Sequence, residues 1–308
     1  MKVLLAGANS YIGTRLVPVL LEKGHEVVCL VRDKGHFHKN SPCAGATTVM
    51  GGDLLRRQSI ENMPPDIDAA FYLVNTFTQT SEFAALGALS AQNFMEVLNP
   101  TACRHIVTLG DINDAVTDRA RMQVEDILCS GSPELTVLNA AMTIGRASTA
   151  LEMFNTLTAK PPILIPQNWM KARSQPISAT DVSGYLEACL LNKKMFNRKF
   201  DIGGPEVLSF KQLLLMYIAI NKDLKPGIVV LPFLTSQLSS HLLNTLTPIS
   251  YPGAQSLIEN LKHDTICRED SIKAIIPRQC ITFKESLRLA NDPIDVMGMP
   301  NAQYSNNN

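Results

Sequence analysis

The apolar positions of this chain come in short continuous runs, most of them followed by a longer stretch where they recur every three or four residues. The short runs are KVLLAGA (2–8), EVVCLVR (26–32), ATTVMGGDL (46–54), DAAFYLVN (68–75), RHIVTLGD (104–111) and ELTVLNAA (134–141). Runs of this length bounded by glycine or polar residues predict strands buried on both faces. YIGTRLVPVLLEKGHE (11–26) sets Ile12, Leu16, Val19 and Leu20 on a helical face and stops at Gly24, a good C-terminal cap. Pro18 falls in the first two turns, where proline does least damage. SEFAALGALSAQNFMEVL (81–98) and DRARMQVEDILCS (118–130) predict two more helices. Strands alternating with helices over this half predict an α/β fold, a doubly wound parallel sheet with right-handed crossovers.

After Gly145 the rhythm loosens. KPPILIP (160–166) is proline-rich and predicts an excursion out of the sheet, and RSQPISATDVSGYLEACLL (173–191) predicts a short strand and then a helix from Thr180 or Asp181. RKFDIGG (198–204) reads as a strand, SFKQLLLMYIAI (209–220) as a helix, GIVVLPF (227–233) as a strand and TSQLSSHLLNTL (235–246) as a helix. The expected organisation is a first domain over 1–159, its sheet completed by about 173–204. The remaining segments of 160–290 form a smaller substrate or partner lobe, and 291–308, without periodicity, a flexible tail.

Composition narrows the class. The chain has 308 residues with 45% hydrophobic and 18% charged, enough for a sizeable core. Its 28 basic residues balance 28 acidic ones, so no charge excess points to nucleic acid or to an anionic membrane. Seven scattered cysteines without a C-x-x-C predict neither a disulfide framework nor a zinc site and fit a reducing compartment. With no apolar run of 18 residues and only a short apolar start, the expectation is a cytoplasmic protein without a membrane span. His36 and His38, in HFH, lack a nearby acid or cysteine to complete a metal site and are expected in a mobile loop. The basic run KKMFNRK (193–199) reads as a solvated loop.

The candidate chemistry lies in LLAGANSYIG (4–13). Strand, glycine turn and helix are the parts of a dinucleotide phosphate loop: the first glycine turns the chain, the second admits the pyrophosphate, the third lets helix pack on strand. Gly7 and Gly13 keep the outer spacing, and Ser10 stands in the middle. Its side chain either crowds the phosphate approach or donates its hydroxyl to a phosphate oxygen. Where the second strand ends, Val31 replaces the acid that would accept from a ribose 2′-OH. Arg32 follows and can pair with a 2′-phosphate, favouring NADP with NAD as alternative; otherwise it is a solvated loop residue. Asp33 either pairs with Arg32 or itself meets the 2′-OH.

GANSYIGTRLVPVLLEKGHEVVCLVRD resembles the atypical short-chain dehydrogenase/reductase superfamily. GGDL, AFYLVN, VEDIL, LTVLNAAMTIG, RSQPISATDV, FDIGGPEVLSFKQLL and SLIENLKHD resemble its NAD(P)-binding, NmrA-like members. The same wider set holds bacterial proteins labelled nucleoside-diphosphate-sugar epimerase and an accessory subunit of respiratory complex I. The likeness runs from residue 1 to about 290. It implies that Gly7, Asn9, Ser10, Tyr11, Ile12 and Gly13 hold the pyrophosphate and that Asp53 and Leu54 face the adenine. Leu73, Val74 and Asn75 would border the ribose. Thr108, Leu109, Gly110, Asn139, Ala140, Ala141 and Met142 would line the nicotinamide side. Trp169 and Arg173 fall where the family crosses the substrate cleft, either as a clamp for a flat or anionic ligand or as plain packing.

Reductases of this superfamily commonly use Tyr-x-x-x-Lys. Tyr11, Tyr72, Tyr185, Tyr217 and Tyr251 are followed four residues on by Arg15, Thr76, Cys189, Asn221 and Gln255, and no lysine lies between Arg104 and Ala159. Arg119 and Arg121 occupy the segment where the pair belongs; arginine stays protonated and cannot act as the acid. Sugar epimerisation is therefore not expected. Asp111, just past the fifth strand, is either a substitute acid or a turn residue. Two functions stay open: an NADP-dependent oxidoreductase of an unknown small molecule, or a non-catalytic dinucleotide-binding sensor or scaffold with a protein partner.

Overall fold

The computed structural model describes residues 1–60, 62–74, 81–112, 118–159, 162–167, 169–221, 227–231 and 263–292. The expected helix at 235–246, most of the tail and Asn75 lie outside the described residues.

Seven parallel strands form the central sheet: β1 (Lys2–Ala6), β2 (Glu26–Val31), β3 (Thr48–Gly51), β4 (Ala69–Tyr72), β5 (His105–Asp111), β6 (Glu134–Ala140) and, after four short strands outside the sheet, Arg198–Ile202. Those four are β7 (Thr143–Ile144), β8 (Ile163–Pro166), β9 (Arg173–Ser174) and β10 (Ile177–Ser178), so the seventh sheet strand is β11. The order β11-β6-β5-β4-β1-β2-β3 runs out one way from β1, returns, and continues the other way from β4. This is the doubly wound Rossmann order, extended by one strand, with its reversal between β1 and β4.

Both faces of the sheet are covered, which is why the strands read as continuous apolar runs. Side chains alternate along a strand. Val3, Leu5, Phe71, Val107, Leu138 and Phe200 pack on one face against Leu16 and Leu20 of α1 (Gly13–Glu22) and Val182 and Leu186 of a later helix, Ala179–Cys189. Leu4, Ala6, Tyr72, Ile106 and Val137 pack on the other against Phe94 and Leu98 of Ser81–Leu98 and Val124 and Leu128 of Asp118–Cys129. In chain order these three helices are α6, α3 and α4. The one between β2 and β3 is α2 (Lys34–Asn40), and α5 is Thr149–Leu157.

A second core lies beside the sheet. Phe154 of α5 stacks on Phe210 and Tyr217 of α7 (Phe210–Asn221), at 5.8 and 5.3 Å between ring centroids. Phe283 and Leu287 of the last helix complete it. The excursion at 160–166 is β8, paired in parallel with Ile228–Leu231 in a separate two-stranded sheet. β12 (Leu208–Ser209) pairs with β9, which makes Ile228–Leu231 β13. The terminal helices are α8 (Ser271–Ile275) and α9 (Phe283–Asn291). Among the described residues no helix is long and apolar enough to cross a membrane.

Three details differ from expectation. His36 and His38 sit in α2 rather than in a mobile loop, because Asp33 caps that helix by accepting from His36 N–H at 2.9 Å. α6 starts at Ala179, one residue early, since the Ser178 hydroxyl accepts from Thr180 N–H. α8 was not expected at all, nor was α9.

Candidate functional site

The glycine loop joins β1 to α1. Gly7 has φ +88°, and a Cβ there would lie 2.4 Å from the Leu73 carbonyl oxygen at the end of β4, so both conformation and space demand glycine. A Cβ on Gly13 would lie 2.1 Å from the Gly7 carbonyl oxygen, which is the close helix-to-strand approach of the third glycine. Ser10 N–H donates to Gly7 O at 2.9 Å, and Ser10 Oγ accepts from Gly13 N–H at 3.0 Å. The hydroxyl is thus drawn into the loop, against the first turn of α1, and its own hydrogen stays available for a ligand. Asn9 is exposed and Ile12 buried.

Tyr11 leaves this loop towards β7. A Cβ on Gly145 would lie 2.5 Å from Tyr11 Oη. The Arg15 guanidinium sits 3.9 Å from the Tyr11 ring centroid, a cation–π contact, and donates to Tyr11 O at 2.8 Å and Arg146 O at 2.6 Å.

β2 ends at buried Val31, and exposed Arg32 follows. The Asp33 carboxylate caps α2 by accepting from His36 N–H. Sequence reasoning missed Lys34. Its stem crosses the end of β3, where a Cβ on Gly51 would meet Cε at 2.8 Å, so a second cation stands at the same sheet edge. Its signal was a basic residue two positions after Arg32.

Asp53 folds into its own turn: Oδ1 accepts from Leu55 N–H at 3.0 Å, and Asp53 N–H donates to Ser59 Oγ at 2.8 Å. Leu54 is buried and its carbonyl accepts from Asn93 Nδ2 at 2.7 Å. Leu73 and Val74 follow β4, with Leu73 N–H held by Ala6 O at 2.9 Å.

β5 and β6 end side by side. The Thr108 hydroxyl donates to Tyr72 O at 2.9 Å, which ties it to the sheet, and Leu109 and Gly110 follow half-buried. Gly110, Asn139 and Asp201 are register partners on β5, β6 and β11 and so share one face. Asn139 Nδ2 donates to Asp201 Oδ1 at 3.1 Å, while Asp201 Oδ2 accepts from Arg268 N–H at 3.0 Å. Asn139 Oδ1 is buried without a hydrogen-bond partner. Ala140 and Ala141 are buried and Met142 half-buried, its carbonyl accepting from Ile177 N–H at 3.0 Å.

In α4, Arg121 Nη1 donates to the Asp111 carbonyl oxygen at 2.6 Å, and Nε lies 3.2 Å from Glu125 Oε1. Glu125, buried, also pairs with Lys199. The Asp111 side chain is open to solvent yet hemmed by protein atoms. That desolvation raises its carboxyl above the usual range, the Arg121 charge opposes it, and water screens the shift. Tyr72 is no substitute acid: burial pushes its phenol up to about 12, and its hydroxyl donates to Ser90 Oγ at 3.0 Å.

Trp169 and Arg173 form no clamp. Trp169 is 2% exposed and packs edge-on against Phe210 at 6.1 Å. Arg173 Nε and Nη2 donate to Asp264 Oδ2 at 3.0 and 2.6 Å, which ties β9 to the segment after residue 262.

Residues 7–128 match the NAD(P)H-binding family. No curated protein matches the sequence. Among solved structures, the chain resembles the Citrobacter sp. triphenylmethane reductase complexed with NADP(H), at TM-score 0.74 and 12% identity over 94% of this chain and 100% of that one. A nucleoside-diphosphate-sugar epimerase from Staphylococcus aureus gives 0.71 and 14%, again over 94% and 100%. A short-chain dehydrogenase/reductase superfamily protein from Agrobacterium tumefaciens with bound NAD gives 0.61 and 13%, over 90% and 100%. The glycine loop, the reversal point beside it and the matched segment coincide: the chain has the Rossmann fold of the short-chain dehydrogenases/reductases, and the segment that carries the loop is similar to an NAD(P)H-binding family.

Proposed function

We propose that the protein binds NADP(H) in preference to NAD(H) and serves as an oxidoreductase for a small molecule, without a Tyr-x-x-x-Lys pair. The observation that carries this reading is the end of β2. Val31 offers no acceptor to a ribose 2′-OH, Asp33 is committed to capping α2, and Arg32 and Lys34 present two cations where a 2′-phosphate would lie. The fold shared with a reductase complexed with NADP(H) supports it.

The backbone of residues 9–13 would hold the pyrophosphate at the N-terminus of α1, with the Ser10 hydroxyl as an added donor. When bound, the nicotinamide supplies or accepts a hydride. Asp111, with its carboxyl pKa raised, is the candidate to hold or release a proton at the end of β5. Free thiols at all seven cysteines support a cytoplasmic setting. The second reading, a non-catalytic dinucleotide sensor or scaffold of NmrA type, draws on Arg121, which stands in the helix of the missing pair and is tied to Asp111 O and Glu125.

Fluorescence titration with NADPH and NADH tests the cofactor preference, and equal affinities refute it. Oxidation of NADPH with panels of carbonyls and quinones separates the two functions: turnover supports the oxidoreductase, and tight binding without turnover supports the sensor.

A further inference from the structure

Glu125 is a buried carboxylate on α4, its side chain only 5% exposed. Burying such a charge is unfavourable unless cations answer it. Two do, from different elements. Arg121, one turn earlier on α4, brings Nε within 3.2 Å of Oε1, and Lys199 of β11 holds Oε2. The pair with Arg121 contributes little to the helix itself, because a cation four residues before an acid is the weaker order for helix support. What it fixes is the guanidinium. Arg121 lies across Gly110, where β5 carries no side chain: a Cβ built on Gly110 would sit 3.0 Å from Nη1 and 3.3 Å from Cδ. Nη1 donates to the Asp111 carbonyl oxygen at 2.6 Å, so the contact is with the main chain of Asp111 rather than with its carboxylate. β6 sets uncharged Ala140 beside Asp111, and the charges on this side are Arg121, Glu125 and, through Glu125, Lys199.

We propose that Glu125, held by Lys199, is a positioning residue: it anchors the Arg121 guanidinium off the Asp111 carboxyl group and so leaves that group free to carry a proton at the end of β5. The inference rests on the reading of Asp111 as proton donor given above. A guanidinium fork matches a carboxylate, and an arginine beside an aspartate favours its ionised form. Both two-pronged edges of the Arg121 guanidinium, Nε with Nη2 and Nη1 with Nη2, have one prong taken, by Glu125 and by the Asp111 carbonyl. Released from Glu125, the fork would turn onto the carboxylate and strip it of its acid role. Desolvation raises the Asp111 carboxyl and the Arg121 charge opposes it, so the direction of the guanidinium sets the balance. Glu125 touches no substrate and transfers nothing.

The test is a carbon-13 NMR titration of the Asp111 carboxyl in the full chain, assigned with Asp111→Asn. It compares wild type, Glu125→Gln, Arg121→Met and the Glu125→Gln/Arg121→Met double variant. Glutamine keeps the size of Glu125 and an acceptor for Lys199 but not the charge. Glu125→Gln should lower the Asp111 midpoint by about one pH unit or more, as an arginine turned onto an aspartate does, and Arg121→Met should raise it. With Arg121 gone, Glu125→Gln should leave the midpoint nearly unchanged. The same fall with and without Arg121 would show Glu125 acting through space by its own charge and overturns the proposal. So does a Glu125→Gln variant that only melts earlier, its midpoint where the wild type has it, which is the mark of a tether between α4 and β11. A crystal structure of the wild type with Arg121 forked on the Asp111 carboxylate overturns it too, whether or not the variants fold. An Asp111 midpoint at the ordinary value, about 3.9, in wild type removes the proton-donor reading and this inference with it; a raised midpoint that Glu125→Gln leaves in place removes the inference alone.

Discussion

Replacing His105 with glutamine should destabilise the protein more at pH 7 than at pH 5. The imidazole is fully buried on β5, with two hydrogen bonds that fix its state. Nδ1 accepts from Leu191 N–H at 3.0 Å, so the hydrogen sits on Nε2, facing Thr136 Oγ1 at 2.8 Å. The Thr136 hydroxyl in turn donates to Met195 O at 2.7 Å. A second ring proton would point Nδ1–H at Leu191 N–H, and Leu191 already holds a left-handed backbone, φ +51°. Burial lowers the pKa from 6.5 to about 4. The unfolded chain therefore takes up the proton first on acidification. The stability this histidine contributes is full above about pH 6.5 and is lost as pH falls towards 4. At about 1.4 kcal/mol per tenfold, the gap bounds the effect near 3 kcal/mol, of which roughly 2 kcal/mol disappears between pH 7 and pH 5. Urea denaturation of wild type and His105→Gln at both pH values reads it, since carboxylates common to the two proteins cancel in the difference. The stability gap should shrink by about 2 kcal/mol on acidification. A gap that stays constant or widens would show that the histidine is charged in the fold or that it titrates normally.

Arg32→Ala should cost NADPH about 10- to 150-fold in affinity, from a charge-assisted bond worth roughly 1.5–3 kcal/mol, and leave NADH nearly unchanged; salt should erode the difference, and equal losses for both cofactors would place Arg32 elsewhere. Ser10→Gly removes the acceptor for Gly13 N–H and a hydroxyl donor, so NADPH affinity should fall about threefold to tenfold by calorimetry; tighter binding would mean that the side chain obstructs the phosphate. Trp169→Ala should destabilise the second core by about 3–5 kcal/mol in denaturant melts while NADPH affinity measured below the transition stays the same; a selective loss of affinity would return Trp169 to the site.

The sheet was readable because its strands are buried on both faces and so lack polar interruptions. The glycine loop was readable because Gly7 and Gly13 answer local steric demands that no other residue meets. Distance in sequence hid the rest. Arg173 and Asp264 stand 91 positions apart, so the arginine looked like a free cation beside a tryptophan. Polar neighbours in PQNWMKAR disguised the burial of Trp169, which is set by Phe210 of another element. α2 buries only Phe37 and offers no apolar period. α9, by contrast, announced itself: Thr282 and Glu285 form a reciprocal capping box, a spacing visible in TFKE and left unread.

The Arg15 guanidinium has a wider consequence. It clasps Tyr11 O in the nucleotide loop and Arg146 O two residues before Ser148, whose hydroxyl starts α5 by accepting from Leu151 N–H at 3.2 Å. α5 carries Phe154, at the centre of the second core. Occupancy of the loop and solidity of that core are therefore mechanically joined rather than independent, and a ligand that stiffens one should slow breathing in the other. Hydrogen–deuterium exchange should show α5 amides gaining protection when NADPH binds, although none of them lies in the nucleotide loop, and Arg15→Ala should abolish that gain while α3 and α4 respond as before.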